Sequence, residues 1–215
     1  MILSVMQINE LLKRLKKQYP DTKTELSYEN EFELLVSVVL SAQATDKQIN
    51  KLTPRLFKSF PSAELLSKAK SEKVEELIKS SGYYKQKTKA IIGLSKKITK
   101  EHGGRIPMNM DDLTKLPGVG RKTANVLLGE YGEVSGVVVD THVGRISRRL
   151  GLTSHKNAEK VEIDLMKTLP KKEWIAYSGM LIRLGRQECN SRKPRCFECF
   201  LSDMCPSSGI AEKIK

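Results

Sequence analysis

Leu116-Pro117-Gly118-Val119-Gly120-Arg121-Lys122-Thr123-Ala124 is the stretch from which the fold is read. Pro117 stops the helix before it, Gly118 and Gly120 permit positive φ and close backbone approach, and apolar periodicity from Thr123 to Tyr131 starts a new helix. Asp111 to Leu116 supplies a short first helix, so the spacing predicts a helix-hairpin-helix. A glycine hairpin opening onto a helix N-terminus presents N–H groups without intrahelical partners and the positive end of a dipole, which suits a phosphate oxygen. Nucleic acid is the expected ligand, with Gly118, Val119, Gly120 and Arg121 as contacts.

Val137-Val138-Val139-Asp140-Thr141-His142 follows. The dipole of the second helix opposes a further positive charge at Lys122 and so favours a neutral, nucleophilic amine. The helix from Lys122 to Tyr131 is ~14 Å long, and the return from Gly132 to Asp140 can span about 30 Å. Spacing thus allows Asp140 to come back beside Lys122 without requiring it. Read singly, Lys122 is a solvated charge or phosphate contact and Asp140 a helix-start residue.

Outward from this stretch, the chain of 215 residues is long enough for one large domain or two small ones. Lys and Arg outnumber Asp and Glu by 38 to 25, a surplus of +13 that favours a polyanionic partner. No apolar run of about eighteen residues and no signal-peptide succession occurs, so no membrane role is expected and the protein should stay in the compartment where it is made. Strand signals are scarce and helical periodicity dominates, which predicts an all-α fold. Ile8, Leu11, Leu12 and Leu15 share one face of a first helix ending near Tyr19-Pro20. Residues 31–40, FELLVSVVL after Glu31, are apolar nearly all round and predict the central buried helix. Further helices are expected at about 47–58, 62–68, 72–80, 85–101, 141–150, 157–168 and 173–186. Thr45 and Gln48 have capping-box spacing, and Gly82 reads as a helix C-cap. Tyr83 and Tyr84, followed by Lys85, Lys87 and Lys89, set aromatic faces beside positive charge. His102, His142 and His155 are isolated and carry no expected role, and Trp174 is expected to pack among the later helices.

All four cysteines, Cys189, Cys196, Cys199 and Cys205, lie in a C-x6-C-x2-C-x5-C pattern that points to one metal centre. Spacing alone leaves zinc and iron–sulfur open. Arg192, Lys193 and Arg195 put three positive charges in a loop tied down at both ends, which suits docking on phosphates at low ordering cost.

SAQATD (41–46), GYYKQKTKAI (82–91), LPGVGRKTANVLL (116–128), VDTHV (139–143) and the cysteine pattern together resemble the endonuclease III family of DNA glycosylases over nearly the whole chain. The resemblance implies two helical domains flanking a DNA-binding groove. One is a six-helix domain at 23–134; the other joins 1–22 to 135–215 and carries a [4Fe–4S] cluster on the four cysteines. It also implies that Gln43 fills the gap left by an extruded nucleotide and that Tyr83 stands at the wedge position, where relatives commonly carry leucine. The implied activity is that of a bifunctional glycosylase/AP lyase. Lys122 attacks the sugar C1′, Asp140 stabilises developing charge or handles protons, and β-elimination cuts the strand through a Schiff base. Base flipping follows because a stacked nucleotide hides its sugar. The implied substrate is duplex DNA carrying oxidised pyrimidines or abasic sites, handled by a cytoplasmic, nucleoid-associated monomer. The alternatives are a monofunctional adenine or mismatch glycosylase, whose members generally lack a lysine at this position, and a non-catalytic DNA-binding or redox module. Leu184 departs from the histidine that several relatives carry before Gly185.

Overall fold

The computed structural model describes residues 4–22, 24–131 and 134–209, and these are helical with no β-strand among them. No described helix is long and apolar enough to cross a membrane. In chain order the α-helices are α1 (Val5–Gln18), α2 (Glu31–Leu40), α3 (Asp46–Ser59), α4 (Ala63–Ser67), α5 (Ser71–Ile78), α6 (Tyr84–His102), α7 (Met110–Leu113), α8 (Arg121–Tyr131), α9 (Thr141–Arg149), α10 (Ala158–Thr168) and α11 (Trp174–Gln187). Short 3-10 turns occupy Lys79–Ser81, Lys171–Glu173 and Cys196–Glu198.

The chain divides into two compact units, Glu25–Ser135 and the combination of Met1–Thr24 with Gly136–Lys215. The first holds α2 to α8, two of which, α4 and α7, are only five and four residues long. Asn30 caps α2 by accepting from the Glu33 N–H at 3.0 Å, and the helix then buries eight of its ten residues. Leu34, Leu35 and Val36 are fully buried among Leu56, Ile91, Leu94, Leu113 and Leu127, so α2 is the axis of this core. Each such side chain gains about 1.5–3 kcal/mol by leaving water. The sequence expects Thr45 and Gln48 to form a reciprocal cap. Thr45 Oγ1 does accept from the Gln48 N–H at 3.2 Å, but the Gln48 side-chain amide donates to the Ser80 carbonyl, a competing acceptor thirty-two residues away, in place of the Thr45 backbone.

In the other unit, Ser4 and Gln7 complete a capping box on α1, with bonds of 2.8 and 3.3 Å. Ile8, Leu11, Leu12 and Leu15 are buried as their spacing predicts. Trp174 is buried at the start of α11, its indole N–H donating to the Leu169 carbonyl at 3.0 Å. Tyr177 is wholly buried, and its hydroxyl meets Ser147 Oγ at 3.0 Å.

Candidate active site and cysteine centre

The hairpin is built by burial. Leu113, Leu116 and Val119 sink into the core of their unit, which pins the turn between α7 and α8. Helix α7 starts at Met110, capped by Asn109, and stops at Leu113; a turn in which the Leu116 N–H reaches the Leu113 carbonyl at 3.0 Å replaces its expected last residues. Gly118 has φ +78°, and a Cβ there would lie 2.9 Å from the Ala90 Cβ, so both its torsion and its packing demand glycine. Gly120 differs from expectation: its φ is not positive and nothing lies within 4 Å of a would-be Cβ, so the space beside it is open. Val119, expected as a DNA contact, has a buried side chain and an N–H that donates to the Leu116 carbonyl at 3.1 Å. Its side chain anchors the hairpin. Arg121 and Lys122 are exposed as the first two residues of α8.

Gln43 and Tyr83 share an unusual backbone. They are the only described non-glycine residues with positive φ, at 56° and 48°. Such torsions are uncommon for side chains of this size and gather at functional sites. Both are exposed, and both border one cavity of about 310 Å³ whose wall also includes Gly118, Val39, Ala42 and Ala90. Two residues forty positions apart are therefore brought to the hairpin. Tyr84 packs on the core while Tyr83 stays out. Lys87 does not add surface charge: it is buried, and its ammonium donates to the Ser81 carbonyl at 2.6 Å.

Asp140 belongs to the other unit. It caps α9, with Oδ1 accepting from the His142 and Val143 N–H groups at 2.8 Å each. Oδ2 lies 3.2 Å from His142 Nδ1. The helix-start reading is thus realised, and it fixes the carboxylate's direction. His142 in turn packs on Gly185, where a Cβ would come within 2.5 Å of the imidazole Cδ2. Gly132 and Glu133, on the return from α8 towards Asp140, lie outside the described residues.

Cys189, Cys196, Cys199 and Cys205 border a single cavity together with Arg149, Glu188 and Pro194. Among the described residues, no three His, Cys, Asp or Glu side chains gather as a single metal ion would need. Burial pushes the Cys199 thiol up to about 11 and the Cys205 thiol upward as well, so thiolates here require a cation beside them. Donors for sulfur are present: Arg149 Nη1 stands 3.1 Å from Cys189 Sγ, and backbone N–H groups at Leu201 and Ser207 favour the anionic forms of Cys199 and Cys205.

Sequence reading missed Arg149 and Arg145. Arg149 holds the carbonyls of Asn190 and Ser191 at 2.8 and 2.9 Å, and Arg145 holds that of Cys189 at 2.9 Å. Burial lowers the Arg145 guanidinium's pKa, a cost offset by these acceptors. Two arginines on a helix ending beside a cysteine loop were the available signal. In the loop itself, Arg192, Lys193 and Arg195 are all exposed, and Arg195 is also tied within the chain, donating to the Gln187 carbonyl at 2.6 Å and pairing with Glu198 at 3.4 Å. Leu184 is buried and its carbonyl accepts from the Cys189 N–H at 2.8 Å, so an apolar side chain is accommodated at this position.

Comparison with known proteins settles the family. The profile described as "HhH-GPD superfamily base excision DNA repair protein" matches residues 36–171. The Endonuclease III of Synechocystis sp. is 46% identical over 93% of this chain and 91% of its own length. The chain belongs to the endonuclease III family. Two solved structures agree over the full fold, each at 38% identity and TM-score 0.91. A non-covalent Endonuclease III–DNA complex covers 99% of this chain and 100% of that one, and a trapped Endonuclease III–DNA covalent intermediate covers 100% of both. In endonuclease III terms, the hairpin of α7 and α8 lies inside the matched family region, and the cysteine loop follows it.

Proposed function

We propose that this bifunctional DNA glycosylase/AP lyase of base excision repair uses Lys122 as its nucleophile and Asp140 as the group that stabilises charge and moves protons. The observation that carries the reading is the position of Lys122. It is exposed at the second residue of α8, directly after a hairpin whose turn is fixed by buried leucines. N–H groups of the first turn of α8 suit a phosphate, which would seat the damaged strand beside the amine. The amine attacks C1′ as the base departs, the resulting iminium acidifies the neighbouring C2′ proton, and β-elimination breaks the strand on the 3′ side. Asp140, held by two backbone N–H groups, has one oxygen engaged and presents the other through its contact with His142.

Oxidised pyrimidines in duplex DNA are the substrate class. A stacked nucleotide must leave the helix first, and Gln43 and Tyr83, held in strained conformations on one cavity rim, are the groups that enter the duplex in its place. Arg192 and Lys193 add phosphate contacts from the cysteine loop; Arg195, already bonded within the chain, shapes that loop. Cys189, Cys196, Cys199 and Cys205 fit a [4Fe–4S] cluster: all four thiols border one cavity, supplied with donors to sulfur, and a polynuclear centre does not need them to close on one point. When bound, the cluster supplies cross-linking of the loop, and the lysine chemistry takes no electron from it.

Borohydride trapping on a duplex with one thymine glycol tests the reading. The parent protein should form a covalent complex and Lys122→Ala none, with the variant's duplex affinity kept within about three-fold and its strand cleavage reduced by roughly a thousand-fold or more. Base release without any trapped complex in the parent would identify a monofunctional glycosylase instead.

A further inference from the structure

The buried ammonium of Lys87 is not used by the chemistry above, and its position is specific. It is 6% exposed and lies on the first turn of α6, six residues beyond the carbonyl it holds. Its side chain grips the Ser81 carbonyl at 2.6 Å while its own N–H donates to the Tyr83 carbonyl at 3.1 Å. One residue thus fixes the backbone on both sides of Gly82, whose φ is +69°. From the other direction, the Gln48 amide donates to the Ser80 carbonyl. Gln48 is itself held at the start of α3 by Thr45, with its N–H bonded to Thr45 Oγ1 at 3.2 Å, and Thr45 is two residues from Gln43. Burying a cation against a neutral carbonyl is a poor way to fill space, since an apolar side chain of equal length packs without desolvation cost. Burial lowers the Lys87 amine's pKa, in keeping with that cost.

We propose that Lys87 and Gln48 are positioning residues that hold Ser80 to Tyr83 rigid, so that Tyr83 and Gln43 meet a duplex as one preformed pair. The two strained residues are then supported by a shared set of bonds: Gln48 ties the loop carrying Gln43 to the turn before Gly82, and Lys87 ties that turn to α6. Preorganisation of this kind lowers the cost of entry into the stack, because the ordering of both loops precedes contact with DNA. The inference rests on the reading that Gln43 and Tyr83 enter the duplex.

Lys87→Met and Gln48→Glu test it with two substrates: a duplex containing one thymine glycol, and a single-stranded oligonucleotide with a preformed abasic site, which offers no stack to enter. On the duplex, both variants should lose roughly ten-fold in kcat, about the worth of one hydrogen bond, with KM within about two-fold of the parent. The fluorescence rise of a 2-aminopurine placed opposite the lesion should slow by the same factor. Cleavage of the single-stranded substrate should not change. The double variant should be no slower than the worse single one, because both bonds serve one segment. Should Lys87→Met fail to fold, Gln48→Glu at its half-buried position carries the test alone. Equal losses on the two substrates, a change in KM alone, or no loss on the duplex would each overturn the inference. Failure of the parent to act on the duplex would instead sink the underlying reading, before any variant is made.

Discussion

The unit built around α2 and the loop that carries the cysteines reach order by opposite means. In the first, apolar side chains do the work: Leu34, Leu35, Val36, Ile91 and Leu127 exclude water almost completely, and that rigid base can support two residues in unfavourable torsions. In the segment after α11, few apolar groups are available, chiefly Pro194 and Leu201. Its shape is held by arginines from α9 bonding to backbone carbonyls, and its four thiols border a common cavity. A core of the first kind needs no ligand. A loop of the second kind leaves half-buried thiols, one of them pushed up to about 11, that become stable as thiolates when a metal group is bound.

The contrast breaks most visibly at a ligand. Cys199→Ser should reduce bound iron from about four atoms per chain to near zero and remove amide protection throughout the cysteine loop. Hydrogen exchange read by mass spectrometry should find Glu25–Ser135 still protected in that variant; equal loss in both units would erase the distinction. A smaller effect separates two glycines of the hairpin. Gly118→Ala forces a positive φ on a side chain and sets its Cβ against Ala90, which should cost about 1–3 kcal/mol and lower Tm by several degrees. Gly120→Ala, with open space and no positive φ, should leave Tm within about a degree yet weaken duplex binding several-fold, since the added methyl stands where a phosphate would approach. Calorimetry paired with a binding titration distinguishes the two, and a matching loss of stability at Gly120 would deny it a ligand-facing role.

Legibility in the sequence followed the same divide. Helix α2 was readable to its end residues, because an apolar run bounded by Asn30 and Ser41 leaves little choice of burial. The hairpin was readable because Pro117 and Gly118 allow few backbone paths. What escaped were interactions set by tertiary neighbours. Gln48 has the spacing of a cap yet bonds Ser80, thirty-two residues away, and Lys87 looks like surface charge yet lies buried under the turn before Tyr83. Arg149 escaped because most of its partners are carbonyls, which leave no trace in side-chain identity. Positive φ at Gln43 and Tyr83 was equally invisible, as both residue types ordinarily avoid it. For Lys122 and Asp140, the sequence named the residues and the structure supplied their local anchoring: a hairpin for one, a helix cap for the other.

The smallest expected effect lies at an ion pair that reinforces the cysteine loop from α1. Arg14 bonds the Asp203 carboxylate at 2.6 Å, Glu10 at 2.9 Å and the Phe200 carbonyl at 3.2 Å. The guanidinium holds the Asp203 carboxyl below its ordinary range. A carboxyl whose folded pKa lies below its unfolded value contributes stability that is complete above the unfolded value, about 4, and is lost as pH falls through the lower folded one. Asp203→Asn should therefore lower Tm at neutral pH, by only about a degree because the pair is exposed and screened, and the gap to the parent should close on acidification through the carboxylate range. Raising salt at pH 7 should narrow the same gap. A gap that persisted at low pH would assign the effect to Asp203's contact geometry, and the loop would then rest on Arg14's grip of Phe200 with no electrostatic share.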